Sequence, residues 1–209
     1  MKKGQLIFLV IISLTAWAGL LLQLYIMPKQ NGFLRAAEEF FSYFTVLSNL
    51  LAALYATLKL FGWWKNPGAA GAILSGAICS YITIVAVVYH TLLSKLWNPA
   101  GIFFIADQLL HTVVPVLFVL FWFLYARTGL LQWKHALLFL IFPVCYIIYT
   151  IAHGELSGFY PYPFINVGQL GYSAALQNTA GLVVVFLVAG CIVIGLDKSR
   201  QNQKQVFAK

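Results

Sequence analysis

The chain has 209 residues, of which 62% are hydrophobic and only 9% are charged, and its mean hydropathy is +0.87. A soluble domain needs a polar surface that this composition cannot supply, so a membrane-embedded protein is predicted. The formal net charge is +8. The basic residues lie in short loops and at the C-terminal end, without a groove of interleaved aromatic residues, which disfavours nucleic-acid binding and favours contact with membrane phospholipids.

Six apolar segments are predicted to cross the membrane as helices. The first begins after Lys2 and Lys3 and runs to Met27, which is about the 20 residues that a span needs. Because it continues past the small residues at 16–18, a retained span is favoured over a cleaved signal. The other five lie at about 40–61, 70–93, 102–125, 135–153 and 177–196.

These segments predict an all-α, polytopic membrane protein, a bundle of six transmembrane helices. Residues 1–197 form its single domain, and residues 198–209 are predicted to be a basic cytoplasmic tail. Ten lysines and arginines fall on one side of the bundle and three, Lys29, Arg35 and Lys95, on the other. Since cytoplasmic loops are enriched in Lys and Arg, both termini are predicted to be cytoplasmic, and we expect the plasma (inner) membrane.

The fourth predicted span carries an acid, an imidazole and a helix breaker at one-turn spacing: Asp107, His111 and Pro115. At about 3.6 residues per turn they share one face, so carboxylate and imidazole can touch. Pro115 has no N–H to donate to the carbonyl of His111, so a neighbouring helix, a water or a substrate must donate a hydrogen bond to that carbonyl. Ionisable residues inside a span usually face a bundle interior or a wet cavity. A site is therefore predicted, and a structural pair that only joins helices is the alternative.

The second predicted span places Thr45, Ser48 and Asn49 on one helical face. Such residues often join helices in membranes, where a threonine hydroxyl commonly bonds back to the carbonyl four residues earlier. A hydroxyl becomes a useful nucleophile when an adjacent base takes its proton. His111 is the only histidine deep within a predicted span, so it is the expected base, and Asp107 would orient it.

Two short segments of these spans resemble a known family. They are Phe44–Asn49, with the sequence Phe-Thr-Val-Leu-Ser-Asn, and Leu110–Thr112 together with Pro115. They are similar to the small multi-span membrane hydrolases of the androgen-induced-gene and androgen-dependent TFPI-regulating protein family. The resemblance implies a membrane-embedded threonine nucleophile with a histidine partner, acting on lipid esters, notably fatty acid esters of hydroxy fatty acids. Those roles fall on Thr45 and His111, and the resemblance assigns none to Asp107.

Polar and aromatic residues gather at the predicted outer ends of the spans, and some are predicted to contact the substrate. The candidates are Ser48, Asn49, His90, Tyr160, Tyr162 and Asn178. Tyr160 and Tyr162 belong to a loop in which prolines alternate with aromatic residues, which disfavours helix and favours an extended path along the interface. The loop either roofs a cavity or only anchors the protein, and His90 is likewise a site residue or an interfacial anchor.

Metal and cofactor chemistry is not indicated. Cys79, Cys145 and Cys191 fall within apolar spans and lack metal-ligand spacing, so neither a disulfide framework nor a zinc site is expected. The sequence contains no phosphate-binding glycine loop, dinucleotide fingerprint or His-Glu-x-x-His pair. We therefore predict no cofactor and no metal, a lipid substrate, contact with membrane phospholipids and no nucleic-acid partner, while the oligomeric state stays open.

The predicted function is hydrolysis of a long-chain lipid ester by attack of Thr45, with His111 as general base. Two other functions stay open. One is a proton-coupled transporter or ion channel in which Asp107 and His111 form a relay. The other is a non-catalytic membrane scaffold.

Overall fold

A computed structural model describes residues 1–27, 32–63, 68–96 and 98–206, and every regular element in these ranges is helical. The basic residue Lys29, one of the three counted on the less basic side, lies outside the described residues. The helices are α1 (Lys3–Ile26), α2 (Phe33–Phe41), α3 (Phe44–Leu60), α4 (Gly68–Val88), α5 (Ile102–Gln108), α6 (Val114–Tyr125), α7 (His135–Phe139), α8 (Ile141–Ser157) and α9 (Val167–Val206). Two π-helical segments, Tyr89–Leu93 and Leu109–Val113, extend α4 and join α5 to α6, and Pro163–Ile165 forms a 3₁₀ turn.

Five helical segments within the described ranges are long and apolar enough to cross a membrane. They are α1, α4 with its π extension, α5 continued by α6, α7 continued by α8, and α9. A sixth is obtained when α2 and α3, which meet at an angle of 80°, are counted together. The all-α prediction is confirmed, and the number of long apolar helices is that of a multi-pass membrane protein.

The predicted continuous helix over 40–61 is wrong, because the chain bends between α2 and α3. Ser42 donates its hydroxyl to the carbonyl of Glu38 at 2.9 Å, and Tyr43 has an extended ψ of 127°. Tyr146 of α8 then replaces the missing helical bonds. Its hydroxyl accepts from the Phe44 N–H at 3.1 Å and donates to the Ser42 carbonyl at 2.8 Å. A side chain from another helix therefore stabilises the bend, which no local pattern announces.

The predicted loop over 154–176 is shorter than expected. Helix α8 ends at Ser157 and α9 begins at Val167, with a kink at Gly171, whose φ of 75° favours glycine. Helix α9 also continues through 198–206, so the predicted basic tail begins as an extension of the last helix.

Helix α4 is the centre of the bundle. In the most apolar stretch of this helix 67% of the residues are buried, against 28–33% in the most apolar stretches of the other four long segments. It packs on α3, α6 and α9, while α1 packs on α3 and on the α5–α6 segment. The arrangement holds the start of α3 next to the π segment Leu109–Val113, which positions Thr45 opposite His111.

The two ends of the bundle carry different charges. We call the end that holds Glu38, Glu39, Asp107 and Glu155 the acidic end. The opposite end, where α3, α6 and α9 finish, is called the basic end. Its charged residues in the described ranges are Lys2, Lys3, Lys59, Arg127, Lys134, Asp197, Lys198, Arg200 and Lys204.

Candidate active site

Thr45 lies in the first turn of α3, directly after the bend, and is nearly buried. Its Oγ1 is 3.3 Å from Nε2 of His111 and 3.4 Å from the hydroxyl of Tyr162. In a continuous helix the Thr45 hydroxyl would donate to the carbonyl of Phe41, four residues earlier. The bend between α2 and α3 removes that geometry. The hydroxyl faces an imidazole instead of a helical carbonyl.

The neighbours of His111 determine its tautomer. Its Nδ1 is 3.0 Å from the backbone carbonyl of Asp107 and 3.2 Å from Oδ1 of the same residue. Both atoms are acceptors, so the proton is assigned to Nδ1, and in this neutral tautomer Nε2 is an acceptor. Thr45 then donates its hydroxyl proton to Nε2. This is the arrangement that a general base needs.

Tyr89 is a site residue that sequence reasoning missed. Its hydroxyl donates to Oδ2 of Asp107 at 2.5 Å, and its ring stacks on the His111 ring with centroids 3.9 Å apart and planes within 14°. Gln108 adds a further donor to Oδ2 at 3.3 Å. The sequence pointed to the neighbouring His90. The only signal for Tyr89 was that it and Asp107 are each a few residues from the same predicted end of their spans. Tyr89 orients both Asp107 and His111.

The two π-helical segments lie at the site, where such segments frequently occur. Val114 donates its N–H to the carbonyl of Leu109, five residues earlier, instead of four. In this register the partner of position 115 is Leu110, and Pro115 has no N–H to offer it. Asn49 of α3 fills the gap, because its Nδ2 donates to the Leu110 carbonyl at 3.0 Å. The carbonyl that accepts a hydrogen bond from a neighbouring helix is therefore that of Leu110, one residue before the predicted carbonyl of His111.

Asn49 and Ser48 are therefore placed differently from the prediction that they contact substrate. Asn49 is fully buried, and its Nδ2 also donates to the Thr45 carbonyl at 2.8 Å. It joins α3 to the π segment and lies behind Thr45. Ser48 is also fully buried, its Oγ has no hydrogen-bond partner among the described residues, and neither residue lines the cavity beside Thr45.

A cavity of about 330 Å³ opens beside Thr45 and His111 at the acidic end. Its wall is mostly apolar and comes from α1, α3, the end of α4, α5 and the 158–166 connection. The lining residues are Gln23, Tyr43, Thr45, Val46, Tyr89, Leu93, Leu96, Asp107, Leu110, His111, Pro161, Tyr162 and Pro163. Thr45, Leu93 and Tyr162 also border a smaller apolar crevice of about 50 Å³. The Thr45 side chain lies between these two spaces.

Tyr162 closes the outer side of this cavity. Its hydroxyl oxygen accepts the Thr45 N–H at 3.3 Å, and its ring stacks on Phe164 with centroids 5.2 Å apart. Burial raises the pKa of Tyr162, so its phenol stays neutral and able to donate. Because Pro161 and Pro163 also line the cavity, the aromatic loop forms its roof.

The other three predicted substrate contacts lie outside the cavity wall. His90 places Nε2 3.1 Å from Oγ1 of Thr112 on an exposed side of the bundle. Asn178 donates to the carbonyl of Phe164 at 2.9 Å and so supports the roof from behind. Tyr160 donates to Oε1 of Glu155 at 2.7 Å, and burial together with this carboxylate raises its pKa to about 12. These contacts stabilise the loop and its surroundings.

A second cluster of charged residues connects α2, next to the bend between α2 and α3, with α8. His153 of α8 places Nε2 2.6 Å from Oε1 of Glu38, while Arg35 bonds to Glu38 and to Glu39, each at 3.1 Å. Arg35 also donates to the Ser157 carbonyl at 3.0 Å, so the cluster ties α2 to the end of α8. Among the described residues, no group of three or more His, Cys, Asp or Glu is arranged to hold a metal.

No family model, curated protein or solved structure matches this chain. The resemblance to the androgen-induced-gene type hydrolases therefore stays a prediction from two short segments.

Proposed function

We propose that the protein is an intramembrane hydrolase of long-chain lipid esters, with Thr45 as nucleophile and His111 as general base. One observation carries the proposal: the Thr45 hydroxyl is 3.3 Å from Nε2 of a histidine whose Nδ1 faces two acceptors of Asp107. A nucleophile, a base and a group that orients the base form the arrangement used in covalent acyl transfer.

The chemical steps follow from this arrangement. Oγ1 of Thr45 bonds to the ester carbonyl carbon while its proton passes to Nε2 of His111. The intermediate collapses, the carbon–oxygen bond to the alcohol breaks, and His111 returns the proton to the leaving oxygen. A water then gives a proton to His111 and bonds to the acyl carbon of the acyl-threonine. The bond between this carbon and Oγ1 breaks, which releases the fatty acid, and His111 returns the proton to Oγ1 and restores the Thr45 hydroxyl. Asp107 stabilises the imidazolium formed in each half of the reaction.

Tyr162 is the residue best placed to stabilise the oxyanion. Its neutral hydroxyl lies 3.4 Å from Oγ1 of Thr45, beside the carbon that this oxygen would attack. Thr45 also lies at the start of a 17-residue helix, where backbone N–H groups and the helix dipole favour negative charge. The phenol donates to the developing oxyanion, and its movement would free the Thr45 N–H as a second donor.

The walls of the cavity favour an aliphatic ester over a polar substrate. Val46, Leu93, Leu96 and Leu110 provide an apolar surface, and the polar groups converge on one point at Thr45. A fatty acid ester of a hydroxy fatty acid, the class implied by the resemblance, has long chains for such a wall and one internal ester for the reactive hydroxyl.

A fluorophosphonate probe that bonds to activated hydroxyls tests the proposal. The full chain should be labelled at Thr45, as located by peptide mass spectrometry, and Thr45→Ala and His111→Ala should both remove the label. Thr15→Ala is the matched control, since the Thr15 hydroxyl donates to the Ile11 carbonyl at 2.7 Å within α1, away from the site. Labelling that survives in His111→Ala would contradict the assigned base.

A proton relay is the second candidate, and the continuity of the hydrogen bonds favours it. Tyr89, Asp107, His111, Thr45 and Tyr162 form one chain of contacts. A relay would give pH-driven proton flux in vesicles that is lost in Asp107→Asn, without covalent labelling of Thr45. An ester hydrolase would label and show no such flux.

We also propose that both termini are cytoplasmic and that the site opens to the outer side, as the excess of basic residues at one end favours. Single cysteines at Leu156 and Gln203 test this in a protein whose Cys79, Cys145 and Cys191 are replaced. A membrane-impermeant thiol reagent applied to intact cells should modify position 156 and spare position 203. The opposite pattern would invert the orientation.

A further inference from the structure

A second and larger cavity, of about 590 Å³, lies at the basic end. It is bounded by the start of α1, the end of α3, the start of α4 and the end of α6. Lys59 and Arg127 line it, together with the hydroxyl-bearing Tyr55, Ser75 and Tyr125. Along α3 it is separated from Thr45 by roughly 20 Å, so it is distinct from the candidate active site.

No carboxylate lines this cavity among the described residues. Asp197, the acid among the described residues of the basic end, does not line the cavity. Its Oδ2 accepts from the N–H groups of Gly129 and Leu131 at 2.9 and 3.1 Å. The half-buried Lys59 donates to the Tyr55 hydroxyl at 3.0 Å and lies 5.2 Å from the centre of its ring. Two cations in a partly enclosed space, beside phenols and a serine, attract a phosphate-bearing anion.

A separate apolar cavity of about 190 Å³ lies next to this space and shares Tyr55 and Lys59 with it. Its remaining wall is Leu51, Leu54, Leu58, Leu74 and Ile78, all from α3 and α4. These residues precede Lys59 along α3 and follow the start of α4, so the cavity extends from the basic end toward the middle of the bundle. A charged space beside an aliphatic groove, with Tyr55 and Lys59 on the border of both, matches the two parts of a phospholipid.

We propose that the basic end binds one anionic phospholipid, with its phosphate between Lys59 and Arg127 and one acyl chain in the groove of Leu51, Leu54 and Leu58. Basic pockets between transmembrane helices are known to hold acidic headgroups. This lipid is a bound component of the bundle and not the substrate, because the cavity contains neither Thr45 nor His111. The proposal does not depend on the hydrolase activity.

The test uses the full chain in phosphatidylcholine nanodiscs with and without phosphatidylglycerol. Native mass spectrometry after release should find one retained phosphatidylglycerol. Lys59→Gln should weaken retention about fivefold, the effect of removing one favourable charge, and Lys59→Arg should keep it. Lys134→Gln is the matched control, since Lys134 is an exposed cation at the same end that does not line the cavity. Arg127→Gln supplies an independent variant if Lys59→Gln does not fold.

Three outcomes would overturn the proposal. Equal retention of phosphatidylcholine would remove the need for charge, and an equal loss in Lys134→Gln would assign the effect to the general surface potential. Inorganic phosphate that binds with the same dependence on Lys59 and displaces the lipid would make the ligand a soluble phosphate. Leu54→Trp, which narrows the apolar groove, separates these sources, because it should weaken phosphatidylglycerol retention and leave any phosphate binding unchanged.

Discussion

The acidic and basic ends of the bundle each bury a carboxylate but surround it with different partners. Asp107 is 3% exposed and contacts the side chains of Tyr89 and His111. Asp197 is fully buried and accepts backbone N–H groups from Gly129 and Leu131. The first acid contacts two titratable side chains, whereas Oδ2 of the second accepts from fixed backbone amides.

This difference separates a reactive arrangement from a structural one. A carboxylate bonded to backbone amides holds a connection in place and has no neighbour that can pass a proton. Arg200 acts similarly, since it donates to the carbonyls of Trp122 and Ala126 at 3.4 and 3.2 Å, where α6 ends. At the acidic end the chain of contacts finishes on the hydroxyl of Thr45.

The largest expected effect is the loss of turnover in Asp107→Asn. The amide still accepts a bond from His111, but it cannot offset the charge of the imidazolium, and its NH₂ group can favour the wrong tautomer. We expect turnover to fall about 10⁴-fold, the scale seen when an orienting acid becomes an amide. The measurement is ester hydrolysis by purified protein, with thermal unfolding as the check on the fold. Unchanged turnover would remove Asp107 from the mechanism.

Helical periodicity was sufficient to predict the contact between Asp107, near the end of α5, and His111, in the π segment that follows it. Asp107 and His111 are four residues apart, and the structure brings their side chains together, as the spacing predicts. The proximity of Thr45 to His111 needed more, because it depends on how α3 packs against the π segment. Pairing a hydroxyl with the only deep histidine predicted it from chemistry alone.

Departures from the regular helix account for what the sequence did not predict. The bend before Phe44 depends on the Tyr146 hydroxyl, which comes from a helix about a hundred positions later. Tyr89 lies in one π segment and stacks on His111 in the other, whereas the sequence pointed to His90 because of its place at the predicted outer end of its span. Each is a tertiary effect that overrides a local rule.

Asp197→Asn should sharpen the comparison by lowering stability without affecting the chemistry. The substitution removes the charge from two backbone hydrogen bonds and buries an NH₂ group beside them. We expect a loss of about 2 kcal/mol, the scale of bonds to a charged group. Thermal unfolding in detergent measures it, and turnover per folded molecule should equal that of the unchanged protein. A selective loss of turnover would link the basic end to the active site.

Tyr89→Phe should lower turnover about tenfold, which is the value of one hydrogen bond to a charged group. The phenyl ring keeps the stacking on His111, so the variant isolates the bond to Asp107. His90→Gln is the matched control, because His90 is the next residue and contacts Thr112 outside the cavity. Equal losses in the two variants would point to a general disturbance of the π segment.

The smallest expected effect is that of Tyr162→Phe, because a second donor can share the work of its hydroxyl. If the phenol donates to the oxyanion, its removal should lower turnover about fivefold, since the Thr45 N–H is then free to donate instead. Tyr160→Phe removes a hydroxyl from the same loop that bonds to Glu155, and it should leave turnover unchanged. Initial rates of ester hydrolysis compare the two variants. Faster hydrolysis in Tyr162→Phe would mean that the phenol blocks the Thr45 N–H in the resting protein, which would reverse its role from oxyanion donor to inhibitory cover.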